Sequence, residues 1–509
     1  MMSRSLQEDE VDQDLYDMNL VALFASCLDE LDKHGQYNDS KWKTTAVRRC
    51  CENQPKTLAF LSPWLNNTTQ LASEPLLKWF RERDKDVLES RRRANGVRGL
   101  VDAVIRGGTY DSRVRAGLKQ LVRYLGLSWR DDVAPFESFL AKELLSANLK
   151  DSAVKPKSSS EWSATRIAKV TAAGVLGGTA IALTAGAAAP ILAPVMGALF
   201  ATQASVSVAL SIALFGSAGA GLSAYKMADR TERGLKEFFF EKTDVKDDGE
   251  TDGDGFRPTS LNLFIGVSGS MDTGDTEELK SYWATALENG GQAHSDTYVL
   301  IFDRKVLLEY SKTVGDLLKD QIVSHAYSYF LKQIVGHAIM AAVSAPLSVA
   351  HAFDIINNPF VLCEARAKGA GLELAAALRM GYQGARPVTL VGFGFGALAI
   401  FHALEALAEE RTYGVVEDVV LVGMPLRAGV DRWRLARRAV AGKFINGYHG
   451  DDWTLKLVMQ WSASNSAIAG VDPVEIDGIV NIPVSLNHYR IGKDGGREMN
   501  VFLKSVLDE

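Results

Sequence analysis

The chain carries two hydrophobic patterns, and the change between them divides it into a helical part and an α/β part. Residues 13–149 place apolar side chains at helical spacing, clearest at Leu20, Leu23, Phe24, Cys27, Leu28 and Leu31. Steps of one, three and four put these residues on one face of a helix. Similar amphipathic stretches follow at 73–92, 97–107, 112–125 and 134–148. This part is therefore predicted to be a helical bundle or array.

Residues 257–509 show the pattern of an α/β domain. Short apolar runs typical of strands alternate there with helical segments, the order expected of a mostly parallel sheet. The runs cover 261–267, 298–302, 387–392, 419–422, 443–448 and 479–484. Three other segments are predicted to lack a packed core: an acidic, disordered N-terminus at 1–12, a Ser/Lys/Pro linker at 150–165 and an acidic linker at 241–256.

An uncharged run separates the two parts, from Val170 to Tyr225. Its 56 residues are long enough for two membrane passes of about twenty residues each. Pro190 and Pro194 indicate a turn near its middle, and basic residues flank both outer ends. By the positive-inside rule both ends would be cytosolic. We therefore expect a multi-pass transmembrane hairpin over 166–233 with membrane lipids as partners; the alternative is a tightly packed helical hairpin buried against protein, since Gly and Ala contribute little transfer free energy.

Composition narrows the classes of function. The chain has 56 basic and 62 acidic residues, so no cationic excess favours nucleic acid as a partner. Its four cysteines are too few for a disulfide framework, which indicates a reducing compartment. No C-x-x-C or H-E-x-x-H spacing occurs, so neither a metal site nor a cofactor is predicted.

One segment has the pattern of a catalytic turn, the sequence RPVTLVGFGFGALAIFHALEAL that begins at Arg386. An apolar strand, a glycine-dense turn and an apolar helix follow one another here. This is the order of a nucleophile elbow, in which G-x-S-x-G holds a serine on a sharp turn at the carboxyl end of a strand. Gly392 and Gly396 occupy the outer positions, but the centre is Gly394 instead of serine.

With this elbow the chain resembles the transmembrane and coiled-coil domain-containing protein 4 family, α/β-hydrolase-like membrane proteins that include lipases and were long filed as a domain of unknown function. The resemblance runs from the helical part to the C-terminus. Its blocks, in order, are GLSAYKMADRTERGLKEFFF, NNPFVLCEARAKGAGLELAAAL, the elbow, EDVVLVGMPL and NGYHGDDWTLKLV. In the family the elbow reads G-[YF]-S-L-G-A-R, so Gly394 replaces the nucleophilic serine and Leu398 the basic residue.

The resemblance also implies the other two members of a catalytic triad. In α/β-hydrolases the nucleophile, the acid and the histidine follow in that chain order. Asp452 matches the family's acid position, with Asp451 as the near alternative. His488 aligns with the histidine of the family's G-H-x-x-Y, although Asn487 and Ile491 depart from that pattern. An acid and a histidine are thus expected without the nucleophile between them.

An oxyanion hole would be formed by main-chain donors. These are the N–H of Phe395, after the elbow centre, and an N–H from the loop after the first strand, at Val267 and Ser268. Ser268 and Ser270 are also alternative nucleophiles. The sequence therefore leaves three functions open: a catalytically impaired hydrolase that binds a lipid-like ligand or a protein, an active lipase or esterase with a relocated nucleophile, and a structural membrane adaptor.

Overall fold

The computed structural model describes most of the helical part and of the α/β part of the chain. The described residues are 2–35, 37, 39–66, 70–83, 87–152, 210–211, 213–215, 221–225, 234–243, 260–269, 274–287, 295–319, 347–452, 455–456, 459, 467–484 and 495–507.

The N-terminal part folds as helices around one apolar core, as predicted. Tyr16, Leu20, Phe24 and Leu28 of the first helix lie fully inside this core. The helices are α1 Met2–Gly35, α2 Lys41–Cys50, α3 Pro55–Leu65, α4 Ser73–Glu82, α5 Val87–Ile105, α6 Ser112–Tyr124 and α7 Ala134–Ser152, with a π-helical turn at Trp129–Val133.

Two helix boundaries differ from the sequence prediction. Helix α1 begins at Met2 and includes the acidic segment that was expected to be disordered. Its Glu, Gln and Leu residues are good helix formers, and they extend a helix whose next turns are held by the core. The stretch 73–92 is two helices, α4 and α5, instead of one.

The second part is a seven-stranded, mostly parallel sheet with helices, which confirms the α/β class. Its strands are β1 Phe238–Lys242, β2 Leu263–Ser268, β3 Asp296–Phe302, β4 Val388–Phe393, β5 Val416–Val422, β6 Phe444–Tyr448 and β7 Ile479–Pro483. The order is β1-β3-β2-β4-β5-β6-β7, and only the β1–β3 pair is antiparallel. The helices are α8 Thr276–Leu287, α9 Arg304–Lys319, α10 Leu347–Arg379, α11 Phe395–Glu409, α12 Val430–Arg438 and α13 Gly495–Leu507.

Strand β1 corrects the predicted start of the α/β domain. The sequence placed this start at residue 257 and an acidic linker over 241–256, but Glu241 and Lys242 pair with Val299 and Tyr298 of β3. β1 is a half-exposed edge strand. Its apolar run is short, because an edge strand buries fewer side chains than the fully buried β2, β3 and β4.

The helical part packs on the amino ends of β4 and β5. The N–H of Tyr110 donates to the carbonyl of Ala385 at 2.9 Å, and that of Ser112 donates to the carbonyl of Gly414 at 2.9 Å. The Ser112 hydroxyl adds a bond to the Val416 carbonyl at 3.1 Å. The carboxyl ends of the parallel strands lie on the opposite side of the sheet, so α6 does not cover them.

The described end of the uncharged run packs against protein, as in the alternative interpretation of the sequence. Leu214 and Phe215 lie in the core of the helical part, and the carbonyl of Ala213 accepts a bond from the Ala385 N–H at 3.2 Å. Leu222 and Tyr225 lie in the core of the sheet. The rest of the predicted hairpin, including both central prolines, is outside the described residues. Among the helices that the structure describes, none is both long and apolar enough to cross a bilayer.

Candidate functional site

The predicted elbow is a sharp turn between β4 and α11. Gly394 follows the last residue of β4 and precedes the first residue of α11, with φ 57° and ψ −122°. A positive φ strains most L-residues and costs glycine little. The turn is held on the sheet because the Gly394 N–H donates to the Val422 carbonyl at 2.9 Å, and its carbonyl accepts from the Leu398 N–H at 3.1 Å.

The two outer glycines allow α11 to approach the sheet closely. A Cβ on Gly392 would lie 2.6 Å from Cδ1 of Ile400 and 2.7 Å from Cα of Ala397. One on Gly396 would lie 2.1 Å from the carbonyl oxygen of Val267, at the end of β2. Real Cβ atoms do not pack this tightly, so both positions require glycine for packing.

The loop after β2 passes directly over the amino end of α11. A Cβ on Gly269 would lie 2.1 Å from the backbone nitrogen of Phe395 and 2.0 Å from that of Gly396. Val267 and Ser268 are the last two residues of β2, so the backbone of this loop lies against the amino end of α11. The first N–H groups of a helix have no carbonyl partner within the helix, and the helix dipole favours negative charge beside them. The role of these groups as oxyanion donors stays a prediction.

Ser268, an alternative nucleophile, is engaged in the core. It is 3% exposed, and its hydroxyl accepts a hydrogen bond from Nε1 of Trp283 at 2.9 Å. A buried hydroxyl that anchors an indole in this way supports the packing of α8 on β2. Ser270 lies outside the described residues.

The acid position follows a strand that runs parallel to β4, at the carboxyl end where the elbow lies. Asp452 follows β6 and is buried. Its Oδ1 accepts from the Leu455 N–H at 2.9 Å. Burial, and secondarily the Asp452 carboxylate, raise the pKa of Tyr310 well above its ordinary value, so the two side chains are near each other. The Tyr310 ring in turn meets the ring of Phe395 edge to face, with centroids 5.1 Å apart. Tyr310 therefore contacts the first residue of α11 and lies within electrostatic range of the acid position.

The histidine position is not among the described residues, because His488 follows the end of β7 by several residues that the structure leaves undescribed. Sequence reasoning passed over a second histidine, His449, directly after β6 and close to Asp452. Its Nδ1 lies 2.8 Å from the Val484 carbonyl oxygen. Since a carbonyl only accepts, Nδ1 carries the proton in this contact and Nε2 is the acceptor of the neutral ring. The signal for it was its place within NGYHGDDW.

Strand order brings the elbow and the acid position to the same end of the sheet. β4, β5, β6 and β7 are parallel neighbours, so their carboxyl ends align. Gly394 follows β4, Asp452 follows β6 and His488 comes after β7 in the chain. Functional groups of open α/β sheets gather at this carboxyl edge.

Comparison with known proteins places the chain in a family. Residues 163–488 match the family described as "Protein of unknown function (DUF726)". The "Transmembrane and coiled-coil domain-containing protein STS1" of Oryza sativa subsp. japonica is 33% identical over 403 residues, 74% of this chain and 58% of that protein. A Caenorhabditis elegans protein named as an uncharacterized membrane protein is 28% identical over 457 residues, 83% of this chain and 71% of its own length.

A third relative carries the name of an enzyme. "Probable lipase MIL1" of Saccharomyces cerevisiae is 31% identical over 233 residues, which are 45% of this chain and 21% of that protein. No solved structure matches the chain. The chain spans 58% of the rice relative's length. These matches confirm the resemblance inferred from the sequence blocks, and the chain belongs to the DUF726 family.

Proposed function

We propose that this chain is a membrane-associated, α/β-hydrolase-like protein related to lipases, in which glycine at the nucleophile position has replaced turnover by binding. The pocket at the carboxyl edge of the sheet would hold a lipid-like ligand or a protein segment. The observation that carries the proposal is Gly394, at the centre of a complete strand–turn–helix elbow with φ 57°. A glycine has no side-chain atom that could form an acyl intermediate.

The order of the strands supports descent from a hydrolase. The elbow, the acid and the histidine follow β4, β6 and β7, the chain order of nucleophile, acid and histidine in α/β-hydrolases. The position of the Phe395 N–H, the first of α11 and next to the elbow centre, supports an oxyanion hole built from main-chain groups. Main-chain donors do not depend on the side chain at position 394.

The size of the rate loss that follows removal of a catalytic nucleophile favours the loss of turnover. In serine hydrolases, removal of a triad member costs roughly 10⁶ in kcat and leaves a residual acceleration of about 10³–10⁴ over water. The residual comes from the oxyanion hole and from binding. A chain with the elbow but without the nucleophile would therefore keep a shaped pocket and little chemistry.

Two observations support the membrane association in this proposal: the names of the relatives and the uncharged run. The rice and nematode relatives are named as transmembrane or membrane proteins, and the run from Val170 to Tyr225 has no charged residue. Residues 213–215 and 221–225 of that run pack on the protein. Within this run, a membrane pass would therefore lie ahead of residue 210.

Labelling by a fluorophosphonate probe tests the loss of the nucleophile. We expect no labelling of the unmodified protein, because the probe needs an activated serine. The Ser268→Ala and Ser270→Ala variants serve beside it. Labelling that disappears in Ser270→Ala alone would establish a relocated nucleophile and replace our proposal with an active esterase.

A further inference from the structure

The loop after β2 lies against the predicted elbow, and both of its ends are held. Its first end is Gly269, which passes over the amino end of α11. Its second end is Gly274, from which the chain enters α8 at Thr276. Only four residues separate the two glycines, and they lie outside the described part of the chain. A fixed second end leaves so short a loop few conformations, so whatever holds Gly274 also restricts Gly269.

Arg304, the first residue of α9, holds the second end of this loop. Its Nη1 donates to the Gly274 carbonyl at 2.9 Å and to the Thr276 hydroxyl at 2.6 Å. Its Nε lies 3.0 Å from both carboxylate oxygens of Glu237, and its Nη2 donates to one of them at 2.5 Å. A guanidinium presents its donors in a rigid fork, so one side chain can bind a carboxylate and a backbone carbonyl together. Arg304 therefore joins the loop to the residue that precedes β1.

Glu237 is in turn held by Asp303, the residue between β3 and α9. Oδ1 of Asp303 accepts from the backbone N–H of Lys236 at 2.7 Å and from that of Glu237 at 2.8 Å. The Asp303 N–H donates to the Glu237 carbonyl at 3.1 Å. Asp303 has a φ of 31°, which is uncommon for a residue other than glycine. A backbone conformation of this kind persists where the surroundings fix it, and these three bonds do so.

The charges of Arg304 and Glu237 balance each other. Burial alone would raise the pKa of Glu237, but the hydrogen bonds from Arg304 lower it more, so the pKa lies below its ordinary value. The pair is therefore ionised at neutral pH. The two side chains are 24% and 26% exposed, and partly buried pairs are screened by salt less than exposed ones. Arg304 is thus a lasting link between Glu237 and the loop.

We propose that Arg304 is a positioning residue of the elbow site: held by Glu237 and Asp303, it fixes the loop after β2 against the amino end of α11. This inference rests on the proposed function, in which main-chain groups at the elbow bind the ligand. Arg304 does not touch the ligand in this role, since it acts through Gly274 and Thr276. Its partner Glu237 lies between the uncharged run and β1, so the chain that leaves the run and the loop at the elbow share one anchor.

Hydrogen exchange of the unmodified protein and of Arg304→Gln tests the anchor directly. The amides of residues 267–280, which include the end of β2 and the start of α8, should exchange at least about tenfold faster in the variant. This is the effect expected when the hydrogen bonds of a charged group are lost. Arg304→Lys should show most of the same change, because an ammonium lacks the fork geometry that reaches Glu237 and Gly274 together. Unchanged exchange in Arg304→Gln overturns the proposal, whatever the activity of the site.

The activity of a Gly394→Ser background tests whether the anchor matters for the elbow. Adding Arg304→Gln should lower the kcat of the acquired ester hydrolysis at least about tenfold and change KM less, because main-chain donors at the elbow act on the transition state. If Gly394→Ser itself hydrolyses no ester, the proposed function fails, and the exchange measurement alone decides whether Arg304 holds the loop. Faster exchange with an unchanged kcat would refute the positioning role.

Two further variants complete the test. Arg432→Gln is the matched control, since Arg432 of α12 pairs with Glu405, near the far end of α11, through bonds of 2.6 and 2.7 Å. It breaks a comparable ion pair away from the loop, so exchange of 267–280 and kcat should stay unchanged; equal effects of Arg432→Gln and Arg304→Gln would sink the assignment. Thr276→Val removes one acceptor of Arg304 at nearly constant shape and should also speed the exchange. It decides the question if circular dichroism shows that Arg304→Gln is unfolded.

Discussion

The side chain missing at position 394 can be put back, and this tests the site by a gain of activity. Gly394→Ser restores a hydroxyl on the elbow, beside the main-chain donors near Phe395. We expect measurable but slow hydrolysis of short acyl esters, because the pocket need not be complementary to the transition state of that reaction. A side chain at φ 57° costs about 1–3 kcal/mol, so lower stability should accompany the gain. Ester hydrolysis and denaturant midpoints measure the two effects.

The gain depends on the two retained partners. In the Gly394→Ser background, His488→Ala and Asp452→Asn should each remove the acquired activity, while His449→Ala should leave it. Should the unmodified protein hydrolyse esters at a rate that His488→Ala does not change, the assignment of the site would be wrong. Loss of the gain in His449→Ala but not in His488→Ala would move the base to the histidine after β6.

Position 396 requires glycine for packing, whether or not the site is catalytic. Gly396→Ala would drive a methyl group to 2.1 Å from the Val267 carbonyl oxygen, and overpacking of this kind costs about 1–3 kcal/mol or more. Gly99→Ala is the matched control, since Gly99 lies within α5 and nothing is within 4 Å of its added Cβ. That change should stabilise by up to about 1 kcal/mol through helix propensity. Urea unfolding of both variants measures the difference.

At the scale of single residues, local patterns could be predicted from the sequence and contacts between distant residues could not. The glycines of the elbow could be identified because their spacing is local. The bond from Trp283 to Ser268 and the contact of Tyr310 with Phe395 could not, because they join residues on different elements. The buried ion pair of Arg386 with Asp296 was likewise invisible, since the two residues are far apart in the chain.

Helix α6 is joined to β5 by buried charges, and these should dominate the stability of that contact. Arg115 bonds to Glu137 at 2.8 Å and to Glu417 at 2.5 Å, with all three side chains at most 4% exposed. Arg115→Met would leave two buried carboxylates with one cation fewer, a change that costs about 3–5 kcal/mol. Arg123→Met, at an exposed position on the same helix, is the control and should be nearly neutral. Denaturant unfolding monitored by tryptophan fluorescence separates them.

The stability of the contact between α6 and β5 is expected to depend on pH through Asp418. Burial alone would raise its pKa, but Lys119 and the backbone N–H of Lys443 lower it more, so the pKa lies below its ordinary value. A lowered folded-state pKa adds stability that is complete above the unfolded value, about 3.9, and is lost as the pH falls through the folded value. We expect the unfolding free energy of the unmodified protein to fall below about pH 4, and Asp418→Asn to reduce that dependence. Identical pH profiles for the two proteins would contradict the assignment.

At the level of elements, six of the seven strands of the sheet were predictable and the edge strand β1 was not. All six strand-like runs became strands within a few residues of their predicted ends. Five of them are buried strands, which read as continuous apolar runs, and the other edge strand, β7, was recognisable although only its first residue is buried. β1 was missed, since its apolar run covers only residues 238–240 and is followed by two charged residues. The split between α4 and α5 was missed because amphipathic periodicity continues across it.

At the scale of the whole molecule, the amino ends and the carboxyl ends of the parallel strands carry different features. The helical part, through α6, covers the amino ends of β4 and β5. The carboxyl ends carry the elbow and the acid. Phe215, from the end of the uncharged run, lies over the guanidinium of Arg386 at 5.1 Å. The end of the uncharged run therefore packs against the start of β4.

The attachment to membranes is the last expected outcome, and it depends on the part of the uncharged run that precedes residue 210. If that part inserts into the bilayer, the expressed protein should pellet with membranes and resist both high salt and alkaline carbonate, because screening does not weaken hydrophobic insertion. Cysteine accessibility gives the topology. The four native cysteines are buried, so Leu192→Cys, near the predicted turn, should be protected from a cytosolic thiol reagent, while Lys236→Cys, at an exposed position, should react. Release by carbonate together with reaction at both positions would instead extend to the whole run the packing against protein that Leu214, Phe215 and Leu222 already show.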